Sequence, residues 1–244
     1  MSPRRTTATA GRVLRQLLHD PRTLGLIFVV PCALLILVKY VFDGQPTIFN
    51  SIEPMMLGVF PLTIMFLITS IATLRERTTG TLDRLMTMPI SKLDFVLGYA
   101  IAFAIVAAAQ ALLATWLVIG WLAVPVAAGG LPMLFGAVLG GFLGTSLGLF
   151  ISAFARTEFQ AVQFLPALIF PQLLTCGLII SRDHMASWLQ TFSDYMPMTY
   201  SVDAMKRVTT ETQWSSQLTH DFIIVVAVAI GVLVLGAVTI RRRD

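Results

Sequence analysis

The chain has 244 residues, 56% of them hydrophobic and only 12% charged, with a formal net charge of +4 and a mean hydropathy of +0.81. That leaves too little polar surface to coat a soluble globule, which excludes the soluble classes and makes the bilayer the natural solvent. At roughly 20 residues per span the length holds about five to seven helices joined by short loops, with no room for a large soluble domain.

Met1 to Ala10 carries Arg4 and Arg5 but no apolar core with a small-residue cleavage site behind them, so no removable signal peptide is expected and the first span is expected to direct insertion. Between Thr6 and His19, Val13, Leu14, Leu17 and Leu18 fall on one helical face and Arg12, Arg15, Gln16 and His19 on the other. This pattern predicts a helix lying in the interface, either as a lipid anchor or also as a contact for a cytoplasmic partner. Asp20-Pro21 breaks it into an elbow, because proline disfavours helical geometry in the residue before it. Residues 1–22 are therefore read as a cytoplasmic tail and elbow helix, and 23–244 as the membrane domain.

Apolar runs long enough to cross hydrocarbon predict six spans, at 24–42, 55–74, 95–124, 131–154, 159–180 and 222–240. Continuous apolar stretches such as Ile101 to Leu117 exclude the alternating pattern of a strand barrel. Between the second and third spans, Gly80 permits a turn, Thr81 can cap a helix, Leu82, Leu85 and Met86 recur at helical spacing, and Pro89 stops it. Ser91 and Asp94 then resemble a capping box for the third span. A short amphipathic helix at the membrane face fits a groove in another protein, or lies in the interface with no partner.

Thirteen of the seventeen Lys and Arg fall on one side of this six-span chain: Arg4, Arg5, Arg12, Arg15, Arg22, Arg75, Arg77, Arg84, Lys92, Arg156 and Arg241 to Arg243. Lys39, Arg182, Lys206 and Arg207 face the other way, outnumbered by Asp43, Glu53, Asp183, Asp194, Asp203, Glu211 and Asp221. The bias predicts a plasma or inner membrane protein with both termini cytoplasmic, and it accounts for the basic isoelectric point without nucleic acid.

Within the spans, Gly136, Gly140, Gly144 and Gly148 repeat every fourth residue in the fourth. Such a stripe admits close helix packing, or sliding during transport. Pro61 in the second span and Pro166 and Pro171 in the fifth favour kinks. Gln110, Gln163, Gln172 and Thr175 must face protein or water, either as bonds between helices or as a substrate path. No ionisable residue is expected near a span centre, which argues against a proton-relay or sodium-coupled carrier and suits an apolar or amphipathic cargo.

Catalysis finds no foothold. Lys39, Lys92 and Lys206 lack a glycine-rich phosphate loop, so the chain is not expected to hydrolyse ATP. His19, His184 and His220 are scattered, Cys32 and Cys176 lie in apolar runs, and neither a metal site nor a disulfide is expected. Thr145 and Ser146 in the fourth span are read as bonds to backbone or to a neighbouring helix rather than as nucleophiles.

Glu76, followed by Arg77-Thr78-Thr79-Gly80-Thr81-Leu82 and later Pro89, resembles the coupling-helix signature of type-2 ATP-binding-cassette exporter permeases, a Glu, then Gly-Thr-Leu, then a Pro. Asp20 to Leu24, with Pro31 behind it, is similar to that family's entry into its first span. Tyr195 to Val208 is similar to the stretch before its last span, with Met196 for the usual Asn and Lys206 for the usual Arg. The resemblance implies an all-α polytopic membrane protein with six transmembrane helices, an N-terminal interfacial helix, a cytoplasmic coupling helix at about 76–89 and an outer-side helical segment before the last span. It further implies pairing with a second permease and with separate ATPase subunits that bind ATP and Mg. Glu76, Arg77, Gly80, Thr81, Leu82 and Leu85 become the ATPase contact, with Glu76 at the inner gate. The expected activity is export of a drug, antibiotic or lipid. The alternatives are export of a lipid-linked glycan, a channel-like or regulatory membrane protein without ATPase, and an intramembrane enzyme.

Overall fold

The computed structural model describes residues 3–80 and 92–239, and among these the regular structure is entirely helical. Among the described residues nine α-helices follow one another: α1 Pro3–Leu18, α2 Pro21–Val41, α3 Pro46–Thr78, α4 Lys92–Trp116, α5 Gly130–Ser152, α6 Glu158–Thr175, α7 Ser187–Asp194, α8 Pro197–Thr210 and α9 Ser216–Thr239. A π-helical turn, Leu117–Trp121, prolongs α4. Of these, α2, α3, α4 with its π turn, α5 and α9 are long and apolar enough to cross a membrane.

The boundaries follow local chemistry. Asp20, extended at φ −108°, caps α2 by accepting from the backbone N–H of Arg22 at 3.1 Å and of Thr23 at 3.3 Å, and Pro21 fills the first turn where no N–H is needed. Pro46 and Pro197 likewise fill the first turns of α3 and α8, which have no side-chain cap. Thr157 caps α6 through the N–H of Gln160 at 3.1 Å. The expected fifth span, 159–180, is shorter as a helix than its apolar run. It ends at Thr175, and Gly177 turns the chain at φ +90°. With Glu158, three glutamines and two prolines, α6 is not among the helices long and apolar enough to cross a membrane.

The interior is built on α3 and α5, which share the most extensive interface. Association between helices in lipid gains little from the hydrophobic effect and depends on close packing, and the glycine stripe supplies it. A Cβ on Gly140 would meet the Gly58 carbonyl at 3.2 Å, one on Gly144 would strike the Leu62 carbonyl, and one on Gly148 would lie 2.6 Å from the Phe66 carbonyl. Three glycines of α5 thus track α3 in matched four-residue steps. Gly136 instead faces the side chains of Met205 and Phe222, at 2.9 and 3.2 Å. The segment expected on the outer side before the last span is a core element: α8 buries Met198, Val202, Met205 and Val208 against α3 and α9, and Ser201 Oγ donates to the Gly58 carbonyl at 3.2 Å.

The structure corrects three sequence expectations. In α1 the buried stripe is Thr6, Ala10, Val13 and Leu17, so Leu18 is 65% exposed and Arg12 turns inward. The helix packs on α4 rather than lying only against lipid, and Gly98 makes room for it, since a Cβ there would sit 2.7 Å from Thr9. Asp94 does not act only within its own helix, because Thr6 Oγ1 donates to it at 3.2 Å. Glu53, read as an outer-loop acid, lies two turns inside α3 and is fully buried, with no partner for either carboxylate oxygen among the described residues. The spans are therefore not free of buried ionisable groups.

Candidate functional site

Two buried acids, Glu76 and Asp94, lie where α1, α3 and α4 meet. Two residues before its end, α3 carries Glu76, which is 5% exposed. Arg12 of α1 donates through Nη1 to Glu76 Oε1 at 3.2 Å and through Nη2 to the Tyr99 hydroxyl of α4 at 2.7 Å. The guanidinium carbon also sits 5.8 Å from the centre of the Tyr99 ring. Burial opposes the charge on Arg12, but Tyr99 and Glu76 outweigh it and raise its pKa, so Arg12 stays a cation. The second oxygen, Glu76 Oε2, is buried without a partner among the described residues.

Neighbouring charges tie α3 to the far side of the bundle. Arg75 donates through Nε to Glu158 Oε1 at 3.0 Å and through Nη2 to Oε2 at 3.4 Å, fastening α3 to the first turn of α6. Arg77 bonds the Ser152 carbonyl at the end of α5. The last turn of α3 therefore reaches α1, α4, α5 and α6 together. The helix then stops with Thr79 N–H donating to the Arg75 carbonyl at 3.0 Å and Gly80 at φ +74°, the left-handed closure that glycine adopts without strain. Of the expected ATPase contact, Glu76, Arg77 and Gly80 are placed at this junction. Thr81, Leu82 and Leu85, with the rest of the expected 76–89 helix, lie outside the described residues.

A cavity of about 270 Å³ opens beside the junction, lined on its charged side by Asp20, Arg75, Glu76 and Glu158 and on its apolar side by Leu26, Ile68, Ile71 and Phe103.

The polar residues expected along a substrate path do not come together. Gln172 and Thr175 serve local structure: Gln172 Nε2 donates to the Leu168 carbonyl at 2.8 Å, its Oε1 accepts the Met198 N–H at 3.3 Å at the start of α8, and Thr175 Oγ1 donates to the Pro171 carbonyl at 2.8 Å. The Thr175 carbonyl in turn accepts from Ser193 Oγ at 2.9 Å. Gln163 is exposed on α6. Gln110 is buried in α4 with neither amide atom partnered among the described residues.

At the opposite end, Arg182 bonds both Asp194 and Asp203, the latter at 3.0 Å, while Arg207 donates to Asp221 at 2.9 Å and Glu211 at 3.3 Å. Burial raises the pKa of Asp203 against the pull of Arg182. Two arginines thus clamp the segment from α7 to α9.

A family model described as ABC-2 type transporter matches residues 5–209, from the elbow through α8. The chain belongs to the ABC-2 type transporter family. It is 27% identical over 157 residues to a probable multidrug ABC transporter permease, YbhR, of Escherichia coli, covering 64% of this chain and 43% of that protein. It is 28% identical over 142 residues to ABC transporter G family member 20 of Dictyostelium discoideum, covering 58% of this chain and 19% of that protein. It is 27% identical over 169 residues to the inner membrane transport permease YhhJ of Escherichia coli, covering 68% of this chain and 42% of that protein. The chain thus spans under half the length of these ABC-2 relatives.

The sequence alone did not reveal Arg12, Tyr99 and Glu158 as partners at the junction. The only signal was negative: Glu76 sits at the end of an apolar run, where a carboxylate needs a cation, but 64 residues separate it from the one it uses.

Proposed function

We propose that the chain is the transmembrane permease subunit of an ATP-driven exporter, moving a hydrophobic or amphipathic small molecule out of the cytoplasm or the inner leaflet. ATP and Mg are bound by a separate cytoplasmic ATPase subunit, and a second permease copy or a related permease completes the pore. Both termini, and with them α1 and the α3 junction, face the cytoplasm.

One observation carries this reading. The end of α3, from which the family's coupling region departs at Gly80, is joined through Arg75, Glu76 and Arg77 to three other helices at once and through Arg12 to a fourth. A push on that segment reaches α1, α4, α5 and α6 through charged contacts rather than through a flexible linker. Glu76 itself is buried, so its part in this reading is to pass force from the docked loop to the elbow helix.

The test is co-purification of the chain with the ATP-binding-cassette ATPase encoded beside it, followed by ATP hydrolysis with and without amphiphilic cargo. A stable complex with cargo-stimulated hydrolysis is expected. A chain that purifies alone, beside an ATPase whose rate ignores it, overturns the assignment. Gly80→Pro, or Leu82→Asp with Leu85→Asp, should leave the protein inserted but uncouple transport from hydrolysis.

A further inference from the structure

We propose that the cavity between α1, α2, α3 and α4 binds the protonated amine head of an amphiphile, with Glu76 Oε2 as its anchor. The inference deepens the exporter reading and rests on it for the side of the membrane from which the amphiphile enters.

Charge accounting around the cavity leads to this ligand. Its charged lining holds three carboxylates, Asp20, Glu76 and Glu158, against one guanidinium, Arg75. Arg75 is committed to Glu158 at 3.0 Å. Asp20 is committed to its own helix, accepting from Thr23 Oγ1 at 2.6 Å and from two backbone N–H groups. Arg12, which does not line the cavity, gives Nη1 to Glu76 Oε1 and Nη2 to Tyr99, and its Nε is buried without a partner among the described residues. Among the charged groups that line the cavity, what remains is Glu76 Oε2, buried in a residue 5% exposed and without a partner among the described residues. An unsatisfied carboxylate oxygen inside a protein is costly, and the groups that relieve it are N–H donors carrying positive charge.

The rest of the cavity fits what such a head would carry. Leu26, Ile68, Ile71 and Phe103 give it an apolar wall continuous with the membrane-spanning parts of α2, α3 and α4. Its volume of about 270 Å³ holds a head group and the first methylenes of a chain, the remainder of which can lie along α2 in lipid. An anionic or phosphate head finds three carboxylates and a guanidinium already paired. A quaternary ammonium carries the charge but no N–H to donate, so a protonated amine is preferred over it.

Two sources offer this chemistry, an aminolipid of the bilayer and a free cationic amphiphile, and the test separates them. Equilibrium binding of dodecylamine, dodecyltrimethylammonium and dodecyl sulfate is measured without nucleotide on the full chain in phosphatidylcholine nanodiscs, with and without phosphatidylethanolamine. Dodecylamine is expected to bind about tenfold more tightly than the quaternary analogue, and the sulfate more weakly still. Glu76→Gln should erase the preference for the amine, and Ala72→Trp, which puts a large ring into the cavity, should remove binding of all three. Competition by phosphatidylethanolamine identifies the aminolipid as occupant, and its absence the free amphiphile. Equal binding of amine and sulfate by the unaltered protein sinks the site, as does a Glu76→Gln protein that keeps the preference. Because no ATP is involved, failure here leaves the permease assignment standing, and failure of the ATPase to associate leaves this site standing.

Discussion

Arg12 and Glu76, 64 residues apart in the chain, meet at 3.2 Å where the elbow helix crosses the last turn of α3. The ion pair ties α3 to a helix that already packs on α4 through its own buried stripe. Removing one partner of such a largely buried pair strands the other, which costs more than the pair itself contributes.

Arg12→Ala is accordingly expected to destabilise the protein by about 1–3 kcal/mol. Arg12→Ala combined with Glu76→Ala should cost less than the sum of the two single changes, because both remove the same contact. Thermal unfolding of the purified protein and of the three variants, read as a double-mutant cycle, checks this, and strict additivity would exclude the junction as drawn.

The glycine stripe makes a prediction with its own internal control. Gly144→Ala drives a methyl into the Leu62 carbonyl, where backbone cannot yield as a side chain does, and a loss of about 1–3 kcal/mol is expected. Gly25 and Gly231 also lie in membrane helices but have nothing within 4 Å of an added Cβ, so Ala there should be neutral or stabilising by about 0.5–1 kcal/mol. Melting temperatures of the three single variants rank them. Equal effects would mean that α3 and α5 are not in contact along this stripe.

Acid should loosen the elbow before it unfolds the bundle. The bonds from Thr23 and Arg22 hold the Asp20 carboxyl below its ordinary range. A depressed folded value means that the cap contributes fully above the ordinary aspartate value of 3.8 and is lost as pH falls through the lower folded one. Amide exchange at Thr23 and Leu24, compared with Asp20→Asn, which keeps an acceptor but does not titrate, should show extra opening in acid only in the unaltered protein.

The Arg182 clamp is open to a similar substitution. Arg182→Met removes the cation shared by Asp194 and Asp203 and leaves the latter half-buried without its partner. A loss of about 1–2 kcal/mol is expected, with faster proteolysis between α6 and α8. Unchanged proteolysis would show that the α7 segment is held by its apolar contacts alone.

Run length and composition made most of the helices legible, because crossing hydrocarbon demands some 20 apolar residues whatever the tertiary fold. The same logic misplaced Glu53. Hydropathy starts a span where the apolar run starts, whereas α3 begins nine residues earlier at Pro46 and carries the carboxyl inside. Periodicity placed Arg12 on the wet face of α1 because an isolated amphipathic helix sorts charge toward water; a partner on another helix reverses that choice and leaves no local trace. Gln172 and Thr175 show the converse limit. A polar residue in a span must be satisfied, but only the fold decides whether by its own backbone, by a neighbour such as Met198, or by cargo.

The length of α3 has a mechanical meaning. At 1.5 Å per residue its 33 residues make a rod about 50 Å long, against a hydrocarbon core of about 30 Å. Pivoted near its middle on the glycines of α5, such a rod turns a tilt of roughly ten degrees into about 4 Å of travel at each end. Glu76 and Phe49 would then swing in opposite senses, and the two faces of the membrane would change shape in a single stroke.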